Sequence, residues 1–194
     1  MSNPGPSKSS KSSRAPSTIA LLRAVNLPNH GKVSMADLRA LMEAVGFEDA
    51  RTLLQSGNLV FRGSAHTGAA LERQLETETA RRFDLETDYF VRSAAEWRGI
   101  VDRNPFPAEA RNDPSHLVVM FLKAAVKAEP VAALQAAISG REIVRGAGRE
   151  IYVIYPDGIG ASRLTNVVIE RKLGTRSTGR NWNTVLKLAA LAGA

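Results

Sequence analysis

LLQSGNLVFRG, residues 53–63, sets four polar residues, Gln55-Ser56-Gly57-Asn58, between two short apolar runs. Gly57 is free to take a positive φ and Asn58 tolerates one, so the stretch predicts an antiparallel hairpin that pairs 50–54 with 59–62. The same polar knot also offers amides and a hydroxyl to a ligand. It is a turn on either reading and a site on only one.

Working outward from the hairpin gives the fold class. Residues 18–24 (TIALLRA) form a short apolar run that reads as a buried strand. Ser34, with Asp37 three residues on, approximates a capping box, and Met35, Leu38, Met42 and Val45 then recur at helical spacing. Gly46 suits the left-handed position after that helix, and Phe47 can fold back onto its last turn. After the hairpin, 68–83 reads as a helix with Leu71 and Leu75 inward, and 86–92 as a strand. The order strand, helix, strand, strand, helix, strand is that of a ferredoxin-like unit. A capping box at Ser93 and Glu96 opens a connecting helix with Trp97, Ile100 and Val101 on one face, ended by Asn104-Pro105.

The second half predicts a similar order. Residues 104–115 read as a linker and 116–122 as a near-continuous apolar strand. Pro130 suits the first turn of a helix through Ser139. Segments 142–145 and 149–155 read as a second hairpin around Gly146-Ala147-Gly148, followed by a helix over 162–173. Asn181 or Asn183 opens a closing helix with Trp182, Val185, Leu186, Ala189 and Ala190 as its stripe. The expectation is α+β: a ferredoxin-like βαββαβ half over 18–103 and a βαββα half with a C-terminal helix over 116–194.

Composition bounds the function. The chain has 194 residues, 44% of them hydrophobic, and no cysteine. It can bury a sizeable core, and it cannot form a disulfide scaffold, a thiolate zinc site or a cysteine nucleophile. A reducing cytoplasm is the default compartment. No apolar run approaches the roughly 20 residues that span a bilayer, so no membrane role is expected. Residues 1–17 are rich in Ser, Pro and Lys and read as a disordered basic tail. The net charge of +7 is uneven, with +3 in 1–16 and +5 in 163–194, so 17–162 sum to −1. A localised basic segment attracts phosphates, although it also serves as a solvated face.

Catalytic and metal motifs are sparse. His30, His66 and His116 are far apart and lack ligand spacing, so no metal or cofactor is assigned. There is no P-loop and no GxSxG elbow. Tyr155-Pro156-Asp157-Gly158-Ile159-Gly160-Ala161-Ser162 reads as a loop ending at a helix N-terminus, where free N–H groups favour an anion, with Arg163 in the first turn.

Four blocks carry a family resemblance: IALLRAVN at 19–26, MADLRALMEAVGFEDARTLLQSGNLVF at 35–61, YPDGIGASRLT at 155–165 and TGRNWNTVLKL at 178–188. In this order they resemble a bacterial family catalogued as domain of unknown function 1697, over most of 18–191. The resemblance implies a cytoplasmic-type α+β protein with a ferredoxin-like N-terminal part, and it implies no activity. The chain differs at Ala24, where the family usually has glycine, and at Pro28-Asn29, where a glycine-rich loop is common.

The candidate ligand-binding residues are Arg23, Asn26, Gln55, Ser56, Asn58, Tyr155, Ser162, Arg163, Arg180 and Asn181. An unpaired Arg23 inside an apolar strand would be costly, so it requires a carboxylate, carbonyls or a ligand. Three functions fit this sequence. One is binding of a nucleic acid or other phosphate-bearing partner by the basic C-terminal segment. Another is a small-molecule enzyme or sensor built on the Arg/Asn/Gln set, which requires those residues to share one cleft. The third is a self-association or protein-binding module.

Overall fold

The computed structural model describes residues 15–23, 33–54 and 57–194. The expected tail falls largely on 1–14, outside the described residues. Among those described, Ser17 is buried and its carbonyl accepts from the Ala94 amide (3.0 Å).

The elements run β1 (Thr18–Leu22), α1 (Met35–Ala44), β2 (Glu48–Leu53), β3 (Asn58–Arg62), α2 (Gly68–Phe83), β4 (Tyr89–Ser93), α3 (Ala94–Asp102) and α4 (Pro107–Asn112). The second half continues with β5 (Leu117–Val126), α5 (Ala128–Ala136), β6 (Ile143–Ile154), α6 (Asn166–Leu173), β7 (Ser177–Asn181) and α7 (Trp182–Ala192). Two antiparallel sheets result, ordered β2-β3-β1-β4 and β6-β5-β7. The fold is mixed α+β.

Local signals placed the first half well. Both capping boxes form, Ser34 with Asp37 and Ser93 with Glu96. The hairpin forms with Leu53 opposite Asn58 and Thr52 opposite Leu59, and Gly57 takes φ 67°. Phe47 stacks on Phe61 of β3, at 4.6 Å between ring centroids.

The second half differs in two ways. The expected hairpin around Gly146-Ala147-Gly148 does not exist, because β6 runs unbroken through it. Gly146 has φ 131°, and a Cβ there would lie 2.8 Å from the Glu150 carbonyl oxygen. The glycines let one strand bend close upon itself instead of reversing it. The segment before α7, expected to carry no strand, is β7, which pairs with β5 from Leu122↔Ser177 to Val118↔Asn181. The second half is therefore βαβαβα and not βαββα followed by a helix. Segment 104–115, read as a linker, contains α4.

Three apolar layers hold these elements. Ala20, Leu59, Phe61 and Val91 pack on one face of the first sheet against α1 and α2. Val118, Met120, Ile151 and Val153 pack on one face of the second against α5 and α6. The two remaining faces share a layer: Ile19, Leu21, Val60 and Phe90 meet Leu117, Val119, Phe121 and Tyr152, with α3 and α7 completing it. A strand such as β5, paired on both sides and covered on both faces, explains the continuous apolar run in its sequence.

Strand β4 is an edge strand, and side chains satisfy its outer backbone groups. Glu76 Oε1 accepts from the Tyr89 amide and Glu72 Oε1 from the Val91 amide, both at 2.9 Å. Lys123 donates to the Tyr89 carbonyl (2.9 Å), to Glu72 (3.0 Å) and to Glu76 (2.6 Å). An edge whose groups are occupied offers no template for another strand. Arg149 adds a bond to Glu72 (2.8 Å), so one network of carboxylates and cations joins α2 and β4 to β5 and β6.

All three tyrosines, Tyr89, Tyr152 and Tyr155, are buried. Burial pushes each phenol up, Tyr152 to about 12 with the Glu150 carboxylate adding to the effect, and the other two further. A raised native pKa stabilises below the unfolded value near 10 and is lost as pH climbs through the native one. Phenolate absorbance is therefore expected to stay absent until about pH 11 and then to appear together with loss of circular dichroism. A phenolate signal that develops in the folded protein near pH 10 would contradict this burial.

Candidate functional site

The hairpin tip is where the first polar assembly forms. The Leu22 amide donates to the Gly57 carbonyl (2.8 Å), joining the end of β1 to the turn. Asn58, fully buried, donates through Nδ2 to the Leu53 carbonyl (2.9 Å) and accepts at Oδ1 from Arg180 Nε (2.5 Å). Arg180 also donates to the Leu22 carbonyl (2.9 Å), Thr178 Oγ1 (2.9 Å) and the Gly179 carbonyl (2.8 Å). Burial pushes its guanidinium down to about 10, so it remains charged at neutral pH.

Arg23 stands one residue along from Leu22. Its guanidinium reaches Glu170 (3.1 Å) and Asp88 (3.8 Å), and Arg176 also donates to Asp88 (2.9 Å). The structure thus pairs Asn58 with Arg180, which ties β7 to the first sheet, while Arg23, one residue beyond Leu22, ties α6 to it through Glu170. Asn58→Ala removes the acceptor for Arg180 and the donor to Leu53, and is expected to cost about 2–3 kcal/mol in urea unfolding. Asn58→Asp keeps an acceptor for Arg180 and is expected to lose less. Equal stability of Asn58→Ala and the parent protein would contradict a structural role for the pair.

The other candidates lie elsewhere. Asn181 caps α7, accepting from the Thr184 amide (3.0 Å) and hydroxyl (2.9 Å). The buried Tyr155 hydroxyl donates to the Leu164 carbonyl (3.1 Å). Ser162 was expected to open α6, but Thr165 caps that helix, accepting from the Val168 amide. Ser162 instead accepts from the Leu164 amide (2.9 Å) and donates to Glu142. Arg163 consequently lies before α6 and not in its first turn, so the proposed link between a helix N-terminus and this arginine is absent. Asn26, Gln55 and Ser56 lie outside the described residues.

A second assembly surrounds an open pocket of about 350 Å³ between α5, α6 and the loops on either side of β6. Its apolar wall is Leu134, Ile138, Leu164 and Val168. Its charged groups are Arg141, Glu142, Asp157, Arg163 and Lys172. Arg141 pairs with Asp157, which raises the arginine's pKa further. Arg163 and Lys172 make no ion pair with any described residue.

These two assemblies occupy different faces of the second sheet. Arg180 is the register partner of Val119, which belongs to the layer between the sheets, whereas the pocket sits on the face packed by α5 and α6. The described candidates therefore do not share one cleft. Of the pocket's charged groups, only Arg163 stood among them. The sequence signal was the glycine-containing loop 155–162, but nothing in it pointed to Arg141, which reaches that loop from before β6.

Among the described residues, no helix is long and apolar enough to cross a membrane, and no group of three or more His, Asp or Glu is placed to hold a metal. No curated protein matches the chain. A solved structure of a conserved bacterial protein from Streptococcus pneumoniae is similar in fold, with a TM-score of 0.69 at 20% identity, covering 91% of this chain and 98% of that one. The model of the family described as "Protein of unknown function (DUF1697)" matches residues 16–152, which include the blocks at 19–26 and 35–61 and stop before the two later ones. With most of its length matched, including the hairpin and the end of β1, the chain belongs to that family.

Proposed function

We propose that the protein binds an anionic, phosphate-bearing partner, nucleic acid or nucleotide-like, through its basic segment 163–180. The observation that carries this reading is how the cations of the segment divide. Arg176 and Arg180 are engaged by acceptors within the fold, whereas Arg163 and Lys172 have no described ion-pair partner and line a pocket that Arg141 also enters. Cations left unneutralised at a concave surface raise the local concentration of anions.

Related readings accompany it. The order β2-β3-β1-β4, with a helix after β1 and another after β3, supports a ferredoxin-like arrangement for the first half. Each half has its own sheet, which supports subdomains at 18–103 and 116–194 joined by 104–115. The lack of cysteine is compatible with a cytoplasmic setting. An enzyme or sensor built on Arg23, Asn58 and Arg180 has less support, because their bonds run to the fold itself.

The test is fluorescence anisotropy with labelled single-stranded RNA, DNA and a labelled nucleotide at two salt concentrations. Arg163→Ala/Lys172→Ala is expected to weaken binding about tenfold or more, and Arg171→Ala much less. Failure of every probe at low salt, or binding indifferent to the double substitution, would overturn the reading.

A further inference from the structure

The pocket is built unlike a groove for a nucleic-acid strand. No aromatic side chain lines it, so no ring is available for a base to stack upon. Its volume of about 350 Å³ is at the small end of the range for small-molecule sites, about 300–1,000 Å³. Its polar groups are of both signs. Arg163 and Lys172 suit phosphate oxygens, while Asp157 and Glu142 accept hydrogen bonds and repel a phosphate. Carboxylates beside cations fit a ligand that carries hydroxyl donors next to its anionic group.

From this juxtaposition we propose that the pocket takes a sugar phosphate, a phosphate monoester on a polyhydroxylated ring. The proposal rests on the reading of the basic segment as an anion site and names the ligand class. The phosphate lies against Arg163 and Lys172, and the aliphatic side chains of Leu134 and Val168 meet the C–H face of the ring. Asp157 and Glu142 already accept from Arg141 and Ser162, but each carboxylate has about four lone-pair positions, which leaves room for ring hydroxyls. Inorganic phosphate has only its own P–OH groups to offer the carboxylates, fewer donors than a polyhydroxylated ring brings, and a neutral sugar has no anion for the cations. The pocket therefore prefers the combined molecule to either part.

Isothermal titration calorimetry of the full chain tests this with glucose 6-phosphate, ribose 5-phosphate, glucose, inorganic phosphate and single-stranded RNA. At least one sugar phosphate is expected to bind about tenfold or more tightly than both phosphate and glucose. Arg163→Ala is expected to weaken sugar phosphate and phosphate alike. Asp157→Asn, at an exposed position, is expected to reduce the ratio of sugar-phosphate to phosphate affinity, a measure that cancels any gain from releasing Arg141. Equal affinity for sugar phosphates and phosphate, a ratio unchanged in Asp157→Asn, or binding of RNA alone would overturn the proposal while leaving the anion reading standing. No binding of any phosphate-bearing probe would overturn both.

Discussion

Replacing Arg92 by alanine is expected to lower the unfolding free energy by about 3–5 kcal/mol, measured as a fall in the urea midpoint at unchanged slope. The side chain is 1% exposed, and desolvation holds its pKa below the ordinary arginine value. It remains charged because its fork is filled. Nε donates to Glu150 (2.6 Å), Nη1 to the Val91 carbonyl (2.8 Å), and Nη2 to the carbonyls of Leu122 (3.2 Å) and Arg149 (3.0 Å). The last two belong to residues where the β5–β6 register shifts between Phe121 and Val126. Alanine would take the guanidinium from those carbonyls and leave Glu150 without its closest cation. Arg92→Lys keeps the charge but not the fork, so it is expected to recover only part of the loss. A midpoint for Arg92→Ala within experimental error of the parent would show that the buried fork contributes nothing net.

The second large effect is expected at Trp97. This side chain is fully buried, stacks on Phe121 at 4.9 Å and donates Nε1–H to the Val185 carbonyl (3.0 Å). It is the point where α3, β5 and α7 meet in the layer between the sheets. Trp97→Ala empties that point and is expected to cost about 3–5 kcal/mol. Trp97→Phe retains a stacking ring and loses chiefly the hydrogen bond, so a loss nearer 1–2 kcal/mol is expected. If the two variants unfolded at the same denaturant concentration, the ring's packing would not be what supports the contact.

The sequence was most readable where an element carries its own instructions. Helices α1, α3 and α7 each combine an apolar period with a terminal signal, α2 is readable from its apolar positions alone, and the bounds of all four fall close to those expected. Strand β7 is the opposite case. Ser177-Thr-Gly-Arg-Asn contains no large apolar residue, and its strand form comes from the partner: β5 needs a neighbour along that edge, and Glu170 and Asn166 bind Ser177 from the other side. A glycine pair misled the reading of β6, since glycine serves a tight bend within a strand as readily as a turn between two. For the site, the residue types were legible and the distances were not. Asn58 and Arg180 are 122 positions apart, and no local pattern announces that they bond. The same holds for Arg141 and Asp157, whose pairing depends on how β6 crosses the second sheet.

The layer shared by the two sheets has a consequence for how the molecule is made. A ribosome delivers β1, β3 and β4 well before β5 and β6, and α7 last among these elements. Until then Ile19, Leu21, Val60 and Phe90 lack the residues that cover them, and Arg92 lacks Glu150. Before the later elements emerge, the first half has Glu72 and Glu76 at its strand edge but nothing from β5, β6 or α7 to cover its other broad face. Native closure must wait for the tunnel to release α7, so a pause in translation before that point prolongs the period in which a chaperone, or another copy, can occupy the vacant face.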